Sequence, residues 1–427
     1  YALNPSMYHM QYVCYIYYDA IINKRCFLLV DISRPRLLAI IILMIASSLV
    51  IGFFIGTQYT QQPVATKTIS VTYSHTNTVS EVLTMTHITS ILSVATIYST
   101  KTLEKTVTTS PRNLIVWAWI YSTNSSDVKE ILSKYGGSVI DIVSPDWYYL
   151  TDDLGVGKFV SRGAEDPEFL KLVKDKNMLI MPMIVSSNAS RVSRLISDLS
   201  AMERFSRILI DLASRNGYAG FNIDFEVSLP NQAKDFAYFL DYVAKRLHES
   251  KLILTVAIPA KRTEWPSSYT MTYDYELIGK SAVDYVMIMA YDYYESPGPK
   301  PVAPIWWVKD VIEYALKKIP REKLFLGVPN YGKIWSPEGR LVQWILYSDY
   351  QLLRQRGYVF NIDQNDQELV AKIDSNVAYY VDGELAYLRA KLAQEYWLPG
   401  VAIWRLDNGD PSTWDYLKNL KPCQQII

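Results

Sequence analysis

The stretch Gly220-Phe221-Asn222-Ile223-Asp224-Phe225-Glu226 decides how the rest of the 427-residue chain is read. It predicts a buried strand ending in two carboxylates at i, i+2. Successive side chains of a strand point to opposite faces, so Asn222, Asp224 and Glu226 share one face and Phe221, Ile223 and Phe225 the other. Three polar groups on one face of so apolar a strand are costly to bury unless they converge on a ligand or on each other. Neighbouring carboxylates also split their proton affinities, which gives one site both an acid and an anion near neutral pH. That combination points to cleavage of glycosidic bonds.

From residue 111 onward, short apolar runs alternate with amphipathic stretches, the pattern of repeated βα units. Candidate strands lie at 114–119, 139–143, 179–184, 220–225, 252–258, 285–291, 324–328 and 401–404. Between them, Phe236, Phe239, Leu240, Val243 and Leu247 form one helical stripe, and Val308, Val311, Ile312, Ala315 and Ile319 another. Eight strands in about 315 residues suit an α/β fold of the closed (β/α)8 TIM-barrel type. A doubly wound open sheet is the alternative, but no glycine-rich phosphate loop follows an early strand. Residues 332–399 are too many for one helical connection, so a small α+β insertion between strands 7 and 8 is expected to wall the cleft.

Barrel active sites gather at the C-terminal ends of the strands. The fourth strand ends in Asp224 and Glu226, the sixth in Met289-Ala290-Tyr291-Asp292, the seventh in Pro329-Asn330-Tyr331-Gly332 and the eighth in Trp404-Arg405. Singly, each reads as a satisfied polar group or a core aromatic, and Trp404 alone reads as core. Their joint place on one rim favours a site. A buried ion-pair network is the bland reading of the two acids, but no Lys or Arg lies between Tyr218 and Pro230.

Composition narrows the chemistry. Lys+Arg and Asp+Glu both number 43, so no net field selects nucleic acid or another strongly charged partner. With 33 Tyr, 11 Trp and 12 Phe the chain can pave a sugar-binding cleft, although most of these rings belong to the core or surface. Of four histidines only His248 falls in the barrel region, late in an amphipathic helix, where an exposed structural role is expected. A Ser-His-Asp triad and a His-rich metal site are therefore disfavoured. Cys14, Cys26 and Cys423 form neither a CxxC pair nor a disulfide framework. Carboxylates remain to carry acid–base chemistry, with no metal or cofactor expected.

Residues 37–55 carry no charge and would span roughly 28 Å as a helix, about a bilayer's hydrocarbon thickness. Lys24, Arg25, Arg34 and Arg36 precede them, which predicts a short cytoplasmic segment (1–36), a single-pass membrane anchor and an extracellular remainder. A cleaved signal peptide, and hence secretion, is the rival reading; no convincing small-x-small cleavage site follows Gly56. Residues 57–110 hold 23 Ser or Thr in 54 positions and no glycine, which suggests an extended stalk over 56–110. Their many β-branched residues also permit strand structure. Asn124-Ser125-Ser126 and Asn188-Ala189-Ser190 are glycosylation acceptor patterns compatible with an external location.

The strand ends resemble glycoside hydrolase family 18, the chitinase type. Gly220 to Glu226 is similar to that family's DGxDxDxE signature, with Ala219 and Asn222 in place of its first two aspartates. Met289-Ala290-Tyr291-Asp292 matches its sixth-strand MxYD motif, and Trp404 its eighth-strand tryptophan. Gly298-Pro299, Val302-Ala303-Pro304, Trp307-Val308 and Leu326-Gly327-Val328-Pro329 look closest to the spore-germination and cortex-lytic N-acetylglucosaminidase branch, in which asparagine at position 222 is common. The resemblance covers roughly residues 113–418 and finds none of the LysM repeats that often accompany the branch.

This resemblance implies hydrolysis of a β-1,4-linked N-acetylhexosamine glycan, chitin- or peptidoglycan-like, by a retaining mechanism assisted by the substrate. Glu226 would be the general acid/base, Asp224 the partner of the acetamido N–H, and Tyr291 the donor to the acetamido carbonyl. Asn222 would hydrogen-bond Asp224, Trp404 would floor the site, and Asp292 and Tyr331 would grip sugar hydroxyls. The catalytic domain, residues 111–427, is expected to act as a monomer. A non-catalytic lectin on the same barrel is the main alternative, and a membrane-tethered adhesive protein a weaker one.

Overall fold

The computed structural model describes residues 11–16, 65–73, 78–87, 99–108, 114–263, 267, 269–295 and 297–420. The chain divides into two compact units, Tyr1–Ser110 and Pro111–Ile427.

In the first unit, Gln11–Ile16, Ala65–Tyr73, Thr78–His87 and Ser99–Thr108 pair in that order as an antiparallel sheet. The expected extended stalk is corrected here: its β-branched residues pair as strands, the alternative their composition permits. Gln11–Ile16 pairs with residues 65–70, so the segment expected to be cytoplasmic shares a sheet with the stalk region. The predicted anchor, residues 37–55, lies outside the described residues. Among the described residues no helix is long and apolar enough to cross a membrane.

The second unit is a ring of eight parallel strands. β1 is Ile115–Ile120, β2 is Ile142–Pro145, and β3 comes in two pieces, Leu179–Ile180 and Met183–Ser186. β4 is Gly220–Phe225, β5 Ile253–Pro259, β6 Tyr285–Met289, β7 Leu324–Pro329 and β8 Gly400–Trp404. β3 closes the ring: its first piece pairs with β2 and its second with β4, while β8 pairs with β1. Pro182 lacks an N–H, and at this break its carbonyl still accepts from the Asn222 N–H.

Helices cover the outside of the ring. In Ala233–His248 the predicted stripe is fully buried, and Phe239 stacks on Phe225 with centroids 5.9 Å apart. Thus Phe221, Ile223 and Phe225 face the helices, as the alternation requires, and leave the other face of β4 to the barrel interior. Helix Leu199–Asn216 starts where Asp198 accepts the backbone N–H groups of Ser200 and Ala201, and stops at Gly217 in the left-handed region. Gly220 is required by packing, since a Cβ there would lie 2.0 Å from the Ile253 carbonyl of β5.

Two predicted boundaries move. Val139 and Ile140 precede β2 rather than opening it; their N–H groups bond the Tyr135 carbonyl, and they are buried beneath the end of helix Ser126–Tyr135. β6 stops at Met289 because Ala290 N–H turns back onto the Ile288 carbonyl. After β7 the chain builds a five-stranded antiparallel sheet, in the order Leu341–Ile345, Gly332–Trp335, Asn376–Tyr380, Glu368–Ile373, Asn361–Asp363, with helix Tyr347–Gln355. The insertion therefore ends near residue 380. Helix Gly383–Glu395, expected to belong to it, packs instead against β7 and β8 as the seventh barrel helix.

Candidate active site

β4 delivers its polar face into the barrel in three steps. Asn222 lies deepest and is fully buried. Its Oδ1 accepts from Trp119 Nε1 at 3.2 Å and its Nδ2 donates to Thr255 Oγ1 at 2.8 Å. The expected hydrogen bond to Asp224 is therefore replaced by bonds across to β1 and β5. Asn222 is a support beneath the site, with no atom exposed to a sugar.

Asp224 is next, and its Oδ1 is buried with no hydrogen-bond partner among the described residues. Burial, reinforced by the Glu226 and Asp146 carboxylates, pushes its carboxyl well above the usual range. Glu226 reaches the rim, where its side chain is exposed yet flanked by cleft walls. Desolvation, then the Asp292 charge, raises its carboxyl also. With both carboxyls raised, a proton stays available at the site above the ordinary carboxylate range. Neither makes an ion pair among the described residues, so the structural alternative of a buried arginine network is absent there.

A cavity of about 390 Å³ opens over Glu226, lined by Pro259, Ala260, Tyr269, Met289, Tyr291, Asp292 and Tyr294 among others. Tyr291 is buried, its hydroxyl raised well above its ordinary range by burial and by Asp224 and Asp292. It is neutral and a donor at physiological pH, with no hydrogen-bond partner among the described residues. Gly327 of β7 makes room for it: a Cβ there would lie 3.1 Å from Tyr291 Cε1 and 2.5 Å from the Ile288 carbonyl. Asp292, at φ 59°, turns back toward the cleft, where its Oδ1 accepts from the Tyr331 hydroxyl at 2.5 Å. Tyr331 is thus buried and committed to Asp292 rather than exposed as a grip for sugar hydroxyls.

A second cavity of about 300 Å³ lies on the same rim, lined by Tyr121, Tyr331, Trp344, Leu346, Asp349, Trp404 and Arg405. Trp404 is half-buried, edge-on to Trp119 at 6.2 Å, with part of its ring open to the cavity. Trp344, from the edge strand of the insertion, packs on Tyr331 at 5.1 Å. Trp344, Leu346 and Asp349 of the insertion thus line this second cavity.

Sequence reasoning missed Tyr269, Trp344, Lys333 and Asp146. Tyr269 lies in an irregular loop with no periodicity to read. Lys333 did carry a signal, since the alternation from Tyr331 places it on the same face two residues on. Asp146, just past β2, is buried and held near 6 by burial working against Arg162. Among the described residues no cluster of three or more His, Cys, Asp or Glu is placed to hold a metal ion.

A barrel with an acid at the rim of its fourth strand and aromatic walls defines a class of sugar-cleaving proteins, and comparison with known proteins agrees. The sequence pattern described as glycosyl hydrolases family 18 matches residues 141–409. The chain belongs to that family. It is 29% identical over 235 residues to the uncharacterized glycosylase YvbX of Bacillus subtilis, covering 53% of this chain and 68% of that one. To the putative sporulation-specific glycosylase YdhD of the same organism it is 35% identical over 241 residues, covering 52% and 55%. To the Bacillus subtilis cortical fragment-lytic enzyme it is 27% identical over 237 residues, covering 52% and 54%. The chain thus spans about two thirds of the first of these relatives and little more than half of the others. A Chromobacterium violaceum chitinase structure superposes with a TM-score of 0.64 at 23% identity, covering 72% of this chain and 98% of that one. The Bacillus megaterium spore cortex-lytic enzyme SleL gives 0.64 at 18%, covering 77% and 78%. At those identities the structures speak for the fold alone.

Proposed function

We propose that this glycosidase hydrolyses β-1,4-linked N-acetylhexosamine glycan by a retaining, substrate-assisted reaction. Glu226 gives its proton to the glycosidic oxygen as the bond to the anomeric carbon breaks. The sugar's own acetamido oxygen attacks that carbon and forms an oxazolinium ion. Asp224 accepts from the acetamido N–H and offsets the developing positive charge, while Tyr291 donates to the acetamido carbonyl and holds it in line. Water then attacks the anomeric carbon, returns a proton to Glu226 and releases the sugar with its configuration retained.

One observation supports this reading above the others. A rim-exposed acid sits beside a carboxylate whose buried Oδ1 has no hydrogen bond among the described residues, next to a buried phenol. Relatives named as cortical fragment-lytic enzymes favour a spore-cortex type of glycan, with chitin-like glycan as the second substrate class.

The test is Glu226→Gln, with products from chitin oligomers and from peptidoglycan followed by mass spectrometry. Turnover should fall by about 10²–10⁴-fold with oligosaccharide binding kept. Unchanged turnover would overturn the acid assignment, and sugar binding without cleavage by the unaltered protein would make it a lectin.

We also propose that residues 37–55 take the chain to the membrane and that catalysis occurs outside the cell. Protease added to intact cells should therefore digest the barrel; full protection would reject the external location.

A further inference from the structure

Lys333 is an uncommon lysine. Only 7% of it is exposed, and it lies on the first insertion strand, Gly332–Trp335, directly after the β7 loop. Its Nζ is 2.5 Å from Asp292 Oδ1, the oxygen that also accepts from Tyr331. The ammonium sits 4.3 Å from the centroid of Trp344 and 5.7 Å from that of Trp335. Trp344 faces Lys333 directly in the register of the edge strand. An ordered ammonium with two aromatic faces and one carboxylate is a fixed charge, and burying it without that carboxylate would be costly.

We propose that Lys333 is a positioning residue for the general acid: by anchoring Asp292 it sets the negative charge that Glu226 meets across the first cavity, and it ties that charge to the Trp344 wall. The inference rests on Glu226 being the acid of the proposed reaction. Glu226 faces Asp224 on its own strand, Asp292 and Tyr291 after β6, and Tyr269 and Tyr273 after β5. Lys261, also after β5, donates to the Tyr273 carbonyl and lies over the Tyr275 ring. Asp292 is the charge that raises Glu226 after desolvation, and Lys333 is the only cation bonded to Asp292 among the described residues.

Opposite substitutions of this one ion pair therefore have opposite effects. Lys333→Gln leaves Asp292 uncompensated, so Glu226 holds its proton more tightly and the alkaline limb of kcat/KM moves up, by roughly half a unit to one unit. Asp292→Asn removes the charge, and the limb moves down. Lys333→Arg keeps the charge and restores the limb. In the Lys333→Gln/Asp292→Asn double variant, which buries no orphan charge, the lysine substitution no longer has an effect of its own on the limb.

A residue that only supported the fold would lower activity in every variant without shifts of opposite sign. Limbs that stay together, or move the same way, in the folded single variants overturn the proposal; should Lys333→Gln not fold, a double variant whose limb departs from that of Asp292→Asn does so. If Glu226→Gln itself keeps turnover, the glycosidase reading falls instead, which separates the two failures.

Discussion

Ionising Asp224 costs more inside this barrel than in an unfolded chain, because its Oδ1 is buried with no donor among the described residues and because Glu226 and Asp146 repel the charge. A carboxyl raised on folding is no burden below the usual carboxylate range; its cost builds as pH climbs from that range through the raised value and persists above it. Asp224→Asn removes that cost along with the chemistry. The variant should melt a few degrees above the unaltered protein at pH 8, with the difference shrinking as pH falls toward the ordinary Asp range, and it should lose roughly 10²-fold or more in turnover. Melting curves at the two pH values, read beside product formation, check both halves; an equal difference at both pH values would show the charge is not responsible. Asn222, whose polar group is fully bonded to Trp119 and Thr255, has no such tension.

Among the elements, the insertion is held to the barrel by a buried pair. Glu368 accepts the N–H groups of Val302 and Ala303 at 2.8 and 2.5 Å, and Arg389 of the seventh helix bonds the Ala303 carbonyl at 2.8 Å and Glu368 at 3.3 Å. Both residues are fully buried, so truncating Arg389 leaves the Glu368 charge unpaired, whereas truncating Glu368 leaves the Arg389 charge unpaired and two backbone donors free. Arg389→Ala should cost about 3–5 kcal/mol in denaturant unfolding; a loss below 1 kcal/mol would mean that the wall is held by its apolar contacts. Alternation made β4 legible, an apolar run buried throughout made β7 legible, and the 3.6 period made the stripes of Ala233–His248 and Ile305–Ala315 legible. The same reasoning put the acids, Tyr291 and Trp404 at strand ends on one rim, where Glu226, Tyr291 and Trp404 lie along the two cavities. It misplaced β2, because Val139 and Ile140 are apolar for a helix end and not for a strand. It could not see that Lys333 meets Trp344, or that Arg389 meets Glu368: both pairings depend on register and on an insertion boundary that spacing alone leaves open.

For the molecule as a whole, the closed ring of parallel strands and its helices occupy the second compact unit, Pro111–Ile427. A unit with its own core is expected to fold alone. Residues 111–427 expressed separately should unfold cooperatively and keep kcat/KM on soluble oligosaccharides within about threefold of the full chain; a tenfold loss would assign the first unit a part in the site. The rim itself has a consequence for how a polymer is shortened. One cavity lies on the β4–β6 side, over the acid, and the other on the β7, β8 and β1 side of the rim. On the proposed reaction, a glycan laid through both would be severed between interior residues, and its solution would thin long before free monosaccharide accumulated.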